Sequence, residues 1–255
     1  MPAEVKVLIQ GCTNADSIAV TGEEKTQPTI TLVKDDDFII VVDPGVLSDQ
    51  KVLIDALRNE NLTVSDINLV CITHSHVDHY RNIGMFPKAK VLEYFGLWDK
   101  NTVEDWKMQF STNIQVIKTP GHDYTGISLI VNTVNGVVAI CGDVFWKENF
   151  PRDASEDAYA LDPVKLEESR EAIRERADWI IPGHAGMYKN DRGIEVPVKE
   201  PETPPIFGIC KKCHREMPTK HDSCRCRHFL CYKCCECGID CDLCSCSHKI
   251  VKKDE

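Results

Sequence analysis

The chain has 255 residues, 28.8 kDa, 42% hydrophobic and 27% charged side chains and a formal net charge of −10. That length holds one ordinary domain with a small appendage, and the composition excludes collagen, wholesale disorder and a small disulfide knot for the chain as a whole. No apolar run exceeds the five residues of Phe38–Val42, far short of the roughly 20 needed to cross a bilayer, so no membrane partner is expected. The opening MPAEVKVLIQGC carries one Lys and no extended apolar stretch, does not read as a secretory signal, and points to a cytoplasmic location.

In chain order, β-branched runs predict strands at Phe38–Val42, 69–73, 90–92, 114–117, 127–131, 137–141 and Trp179–Ile181. A helix is predicted over 49–60, with Val52, Leu53, Ala56 and Leu57 on one face. A second spans Pro163–Arg176, opened by Asp162 as N-cap with Pro163 at the first helical position. Phe38–Val42 is apolar throughout rather than alternating, the mark of a strand covered on both faces, so α/β layering is expected. Pro197, Pro201, Pro204 and Pro205 break any regular element and make 196–207 a linker between a body, 1–195, and a small module, 208–248.

Composition changes at the same place. Only Cys12, Cys71 and Cys141 of the 14 cysteines precede residue 206. The last fifty residues carry 10 Lys and Arg against 7 Asp and Glu, which leaves the body strongly acidic. An acidic body argues against nonspecific nucleic-acid binding through its general surface.

Five of the nine histidines lie in the body: His74, His76, His79, His122 and His184. Three share the hexapeptide His74-Ser-His76-Val-Asp78-His79 directly after the strand-like LVCIT. A His-x-His leaving a strand can aim two imidazoles at one point, while Asp78 and His79 turn toward a second point nearby. His122 and His184 each follow a Pro-Gly at the end of an apolar run, and Asp143 follows VVAIC as Cys-Gly-Asp. Open α/β sheets place their sites outside strand ends, and neutral imidazole with carboxylate is a donor set suited to Zn²⁺, with Fe or Mn tolerated. Cys141 is expected to be buried packing rather than a ligand.

HSHVDH, TPGH, CGD and PGH, in that order, resemble the metallo-β-lactamase fold superfamily over about residues 5–190, and the Asp-Pro-Gly at 43–45 resembles its early Asp motif. The resemblance implies a four-layer αββα sandwich. It implies one metal held by His74, His76 and His122, a second by Asp78, His79 and His184, and Asp143 bridging both. A hydroxide shared by two Zn²⁺ ions would be the nucleophile, oriented by Asp78, so Asp78 and Asp143 are the catalytic candidates. A bridging carboxylate resembles the thioesterase, nuclease and lactonase branches more than the true β-lactamases, and HSHVDHYRNIGMFP resembles the small hydrolases of the superfamily. The short interval from Asp143 to His184 leaves no room for the cap domain of the RNA-processing branch, and the helical substrate domain of the glyoxalase II type is absent. Ester, thioester, lactone and phosphodiester bonds, in small-molecule or nucleotide-type substrates, remain open. Tyr80, Arg81, Trp98, Trp106, Phe145, Trp146 and Tyr188 are the candidate substrate contacts. The same ligand set resembles the persulfide dioxygenases, so an oxidoreductase with one Fe is the alternative.

In a cytoplasmic protein the cysteine-rich tail reads as thiolate–zinc chemistry rather than disulfides. Cys210/Cys213, Cys231/Cys234 and Cys241/Cys244 form CxxC pairs, and Cys224 or Cys226 can join His228. The spacing resembles the RING pattern, which implies Cys210, Cys213, Cys231 and Cys234 on one structural Zn²⁺ and Cys224, His228, Cys241 and Cys244 on another. Lys211-Lys212 departs from that pattern by lacking an apolar residue between the first pair. With few aliphatic side chains, such a segment takes most of its folding energy from metal. Its excess positive charge suits RNA, an acidic protein partner or the acidic body, and a RING-like interaction module carried on a hydrolase fold is a further alternative.

Overall fold

The structure, a computed structural model, describes residues 1–15, 24–36, 38–148 and 150–190 and two short strands at Phe207–Ile209 and Glu216–Pro218. Its contacts divide the chain into units 1–193 and 194–255.

In the first unit, β1 (Glu4–Ile9), β2 (Cys12–Thr13), β3 (Thr26–Gln27), β4 (Ile30–Asp35) and β5 (Phe38–Val42) lead into helix α1 (Lys51–Asn59). β6 (Leu69–Cys71), the single-turn helix α2 (Val77–Tyr80), β7 (Lys90–Glu93), β8 (Gly96–Asp99) and β9 (Thr102–Glu104) complete the first half. The second half runs β10 (Ile114–Lys118), β11 (Ile127–Thr133), β12 (Gly136–Ile140), α3 (Pro163–Arg176), β13 (Trp179–Ile181) and β14 (Tyr188–Lys189). The strands form a seven-stranded sheet, β1-β4-β5-β6-β7-β8-β9, and a five-stranded sheet, β10-β11-β12-β13-β14. β2 and β3 pair separately.

Side-chain alternation explains the layering. Ile40 and Val42 of β5, and Leu69 and Cys71 of β6, meet Ile127, Leu129 and Val131 of β11 and Ile140 of β12 in one core between the sheets. The intervening Val41 and Val70 face outward and are covered by Leu53 and Leu57 of α1. On the other sheet, Ile130 and Ala139 face outward under Leu166 and Ile173 of α3. The order helix, sheet, sheet, helix is the expected αββα arrangement, and it accounts for strands apolar on both faces. Burying each of these large aliphatic side chains stabilises the fold by roughly 1.5–3 kcal/mol.

Asp162 caps α3 by accepting from the Lys165 amide at 3.1 Å, with Pro163 in the first turn. The first helix is shorter than predicted, and Val52 is 50% exposed while Leu53 and Leu57 are buried. An apolar residue beside the buried stripe thus faces solvent, which costs little when it stands alone. Cys141 is buried in the α3-side core, its thiol donating to the Ile181 carbonyl at 3.4 Å.

The strand directions carry the functional consequence. β5, β6 and β7 are mutually parallel, as are β12 and β13. β10 is antiparallel to β11, which is antiparallel to β12, so β10 runs with β12 and β13. The segments after β5, β6, β10, β12 and β13 are those that hold Asp43, the HSHVDH loop, His122, Asp143 and His184.

In the second unit, Phe207–Ile209 pairs antiparallel with Glu216–Pro218. Cys210, Cys213, Cys224, Cys226, His228, Cys231, Cys234, Cys241 and Cys244 lie outside the described residues, as does most of the Pro-rich segment. Among the described residues no helix is long and apolar enough to cross a membrane.

Candidate metal centre

The seven side chains singled out from the body converge. His74, His76, His122 and Asp143 form one group of potential ligand atoms, and Asp78, His79 and His184 form a second. His74 Nε2 lies 3.0 Å from His76 Nδ1, which lies 3.1 Å from His122 Nε2. Asp143 stands between the groups. Its Oδ2 is 3.4 Å from His122 Nε2, 3.8 Å from His74 Nε2 and 3.1 Å from His184 Nε2, while Oδ1 is 3.3 Å from His79 Nε2. Asp78 Oδ2 completes the second group at 3.8 Å from both His79 Nε2 and His184 Nε2.

Two glycines make this approach possible. A β-carbon on Gly142, whose φ is +49°, would lie 2.2 Å from Thr73 Oγ1, and one on Gly183 would lie 1.8 Å from Asp143 Oδ1. Neither site can carry a side chain without displacing the centre.

Behind the rings stands a set of acceptors. Asp43 accepts from His79 Nδ1 at 2.8 Å, from the Thr73 amide at 2.8 Å and from Thr73 Oγ1 at 2.7 Å. Since Thr73 donates its proton to Asp43, its hydroxyl oxygen is free to accept from His74 Nδ1 at 3.1 Å. Asp157 accepts from His122 Nδ1 at 2.9 Å, and the Gln27 carbonyl from His184 Nδ1 at 3.0 Å. With Nδ1 held by these acceptors, each of the four rings turns its Nε2 toward the centre. Arg170, fully buried on α3, donates from Nε to the Val144 carbonyl at 2.9 Å and braces the turn that carries Asp143.

The electrostatics divide along the same line. Burial, reinforced by His79, holds His74 well below the ordinary imidazole range, and burial with His122 lowers His76. His79 and His184 go the other way: burial disfavours their cations, but Asp143 outweighs it at both, joined at His79 by Asp43. Burial opposes ionisation of Asp143, yet His184 and His79 hold its carboxyl well below the carboxylate range.

These residues fit divalent metal. His79 Nε2 and Asp143 Oδ1 are buried 3.3 Å apart, and among the described residues neither makes a well-formed hydrogen bond, an arrangement that is costly unless something satisfies both. Inward lone pairs on His74 and His122 would face the Asp143 carboxylate at 3.8 and 3.4 Å with no proton between them, whereas a cation satisfies all three.

Not every expected substrate contact reaches the centre. Trp146 does, with its ring edge-on to His122 at 6.0 Å and Phe150 and Tyr159 each 5.6 Å from it. Trp106 packs on the inter-sheet core and donates to the Glu93 carbonyl at 2.8 Å, and Trp98 on β8 donates to the Glu93 carboxylate at 2.7 Å. Phe145 and Tyr188 belong to the core beneath α3. Tyr80 and Arg81 are exposed at the end of α2. Thr73, Asp157 and Gln27 were missed by sequence reasoning; only Thr73, next to His74, had a positional signal.

An αββα sandwich with His and Asp side chains grouped at its strand ends is the architecture of a metal-dependent hydrolase. The pattern of the metallo-β-lactamase superfamily matches residues 24–100. Metallo-beta-lactamase domain-containing protein 1 of Xenopus laevis is 31% identical over 198 residues, 74% of this chain and 82% of that protein. Its Mus musculus counterpart is 34% identical over 159 residues, and the match spans 60% of its length. A metallo-β-lactamase candidate from Thermotoga maritima superposes with a TM-score of 0.60 at 21% identity, covering 74% of this chain and all of that one. The chain belongs to the metallo-β-lactamase superfamily and is a metallo-hydrolase.

Proposed function

We propose that the chain is a dinuclear hydrolase in which His74, His76 and His122 hold one Zn²⁺, Asp78, His79 and His184 hold another, and Asp143 serves both. The observation that carries this reading is the division of Asp143, with Oδ1 toward His79 and Oδ2 toward His184 and His122. When bound, the metal pair supplies water ionised near neutral pH and polarises the bond under attack. Asp78 receives Thr26 Oγ1 on Oδ2 at 3.1 Å and keeps its other oxygen available to accept a proton from the attacking water. Trp146 walls the His122 side and keeps solvent from that ring. The substrate is an ester, thioester, lactone or phosphodiester of a small or nucleotide-type molecule. The residues from 208 to 248 serve as a zinc-held module, with Cys210, Cys213, Cys231 and Cys234 on one ion and Cys224, His228, Cys241 and Cys244 on the other, that recruits a protein or RNA partner in the cytoplasm.

The test is metal analysis of protein purified without added metal, followed by chromogenic esters, thioesters, lactones and phosphodiesters with Asp143→Ala as control. Turnover of one class, lost in the control, with two zinc ions in the body supports the reading. About one iron per body with oxygen consumption overturns it in favour of a persulfide dioxygenase type of chemistry.

A further inference from the structure

Four of the five ligand imidazoles are held from behind. Thr73, Asp43, Asp157 and Gln27 each accept from the Nδ1 of His74, His79, His122 and His184 in turn. His76 is different. It presents Nδ1 to its neighbours, 3.0 Å from His74 Nε2 and 3.1 Å from His122 Nε2, and among the described residues no acceptor stands behind its Nε2. It is also the more exposed of the five. Its ring is therefore placed by its backbone alone unless something fixes the loop.

Ser75 and Asp123 do so. Ser75 sits between His74 and His76, and its Oγ donates to Asp123 Oδ2 at 2.8 Å. Asp123 follows His122 directly and is almost fully buried. Its other oxygen accepts from the Thr125 amide at 2.5 Å and from the Thr125 hydroxyl. The turn is closed further by Gly121 donating to the Asp123 carbonyl at 3.0 Å and by Thr119 donating to the Gly126 carbonyl at 2.8 Å. The carboxylate thus joins the loop that carries His74 and His76 to the turn that carries His122. A side chain with three donors on two oxygens is rigid in a way that a surface aspartate is not.

We propose that Ser75 and Asp123 are positioning residues that set His76 against His122 and so tune metal affinity in the three-histidine group, without ligating metal themselves. This rests on the reading of that group as a metal site. Partners that orient ligands from outside commonly change metal affinity by about 10–100-fold, and a shared loop clip belongs at the low end of that range.

The experiment uses the full chain, stripped of metal and titrated with Zn²⁺ against a chromophoric chelator. His74→Ala/His76→Ala/His122→Ala/His184→Ala defines the zinc taken up outside the centre. His184→Ala leaves the three-histidine group, and His122→Ala leaves the other. Ser75→Ala is expected to weaken zinc about tenfold in the His184→Ala background and to leave the His122→Ala background unchanged. Ser75→Thr, which keeps the hydroxyl, is expected to restore affinity, and Asp123→Asn, which keeps acceptor oxygen toward Ser75, to lose less than Asp123→Ala. If Asp123→Ala does not fold, exposed Ser75 still decides the matter. Equal affinity with and without Ser75→Ala, or equal weakening in both backgrounds, overturns the proposal. Wild-type uptake no greater than that of the quadruple variant overturns the metal-site reading instead.

Discussion

The two groups of candidate ligands that meet at Asp143 are built on opposite electrostatic plans. In the His74, His76 and His122 group the ring nitrogens crowd one another at 3.0–3.1 Å, and His74 and His76 are pushed toward neutrality by burial. In the Asp78, His79 and His184 group the rings lie among carboxylates, and Asp143 draws positive charge onto both imidazoles. The first group is an assembly of lone pairs; the second is an anionic pocket. Both plans ask for a cation, for different reasons. Yet they share two aspartates: Asp143 between them, and Asp43 behind, which holds His79 directly and His74 through Thr73. Asp157, by contrast, serves His122 alone among the described candidate ligands.

The sharpest way to break the comparison is to remove what the groups share. Asp143→Ala deletes a buried carboxylate that faces both, and hydrolytic activity is expected to fall by at least about 10²–10³-fold, the scale of losing one well-placed electrostatic stabiliser. Zinc content by mass spectrometry of the native protein should drop with it. Retention of full loading and activity would show that the groups act independently.

Asp43→Ala comes next. It leaves three donors unsatisfied in a buried site, and a loss of roughly 3 kcal/mol of unfolding free energy is expected from urea denaturation. Asp43 has φ +48°, so Asp43→Asn, which tolerates that backbone, is the control for strain. Both groups should lose metal affinity together. Asp157→Ala sharpens the contrast, because the expected weakening of about 10–100-fold falls on the His122 group alone. Zinc competition in the His184→Ala and His122→Ala backgrounds reads the difference.

The layering and the grouping of the candidate ligands were legible in the sequence because each has a local signature. Strands buried on both faces write continuous apolar runs, as in Phe38–Val42, and the candidate ligands follow such runs, directly in the HSHVDH loop and after a Pro-Gly or Cys-Gly turn at His122, His184 and Asp143. β1 and the β8–β9 hairpin were not legible, since Glu4–Ile9 mixes charge with partial burial and Thr102–Glu104 is exposed throughout. The supports behind the rings left still less trace. Asp157 is 35 residues from His122, and the acceptor for His184 is a backbone carbonyl, which any residue could provide. Trp106, Phe145 and Tyr188 looked like substrate contacts because aromatic side chains serve cores and clefts alike, and only packing separates the two.

The smallest expected effect tests whether the frame and the centre are separable. Asp162 caps α3, and its amide also donates to the Gly121 carbonyl at 2.9 Å, one residue before His122. The cap and the link to the centre use different atoms of one residue: the carboxylate serves Lys165, while the backbone serves Gly121. Asp162→Ala removes only the carboxylate, so a stability loss of about 1 kcal/mol is expected, the usual cost of an N-cap. Gly121 is packed hard against Leu166, where an added β-carbon would fall 2.2 Å from the Leu166 amide nitrogen, so the helix start stays seated on the turn through backbone contact. Zinc affinity of the His122 group should therefore be unchanged while the urea midpoint falls. If affinity falls in step with stability, α3 and the three-histidine group form one cooperative unit, and the contrast between the two groups extends outward into the helical layer.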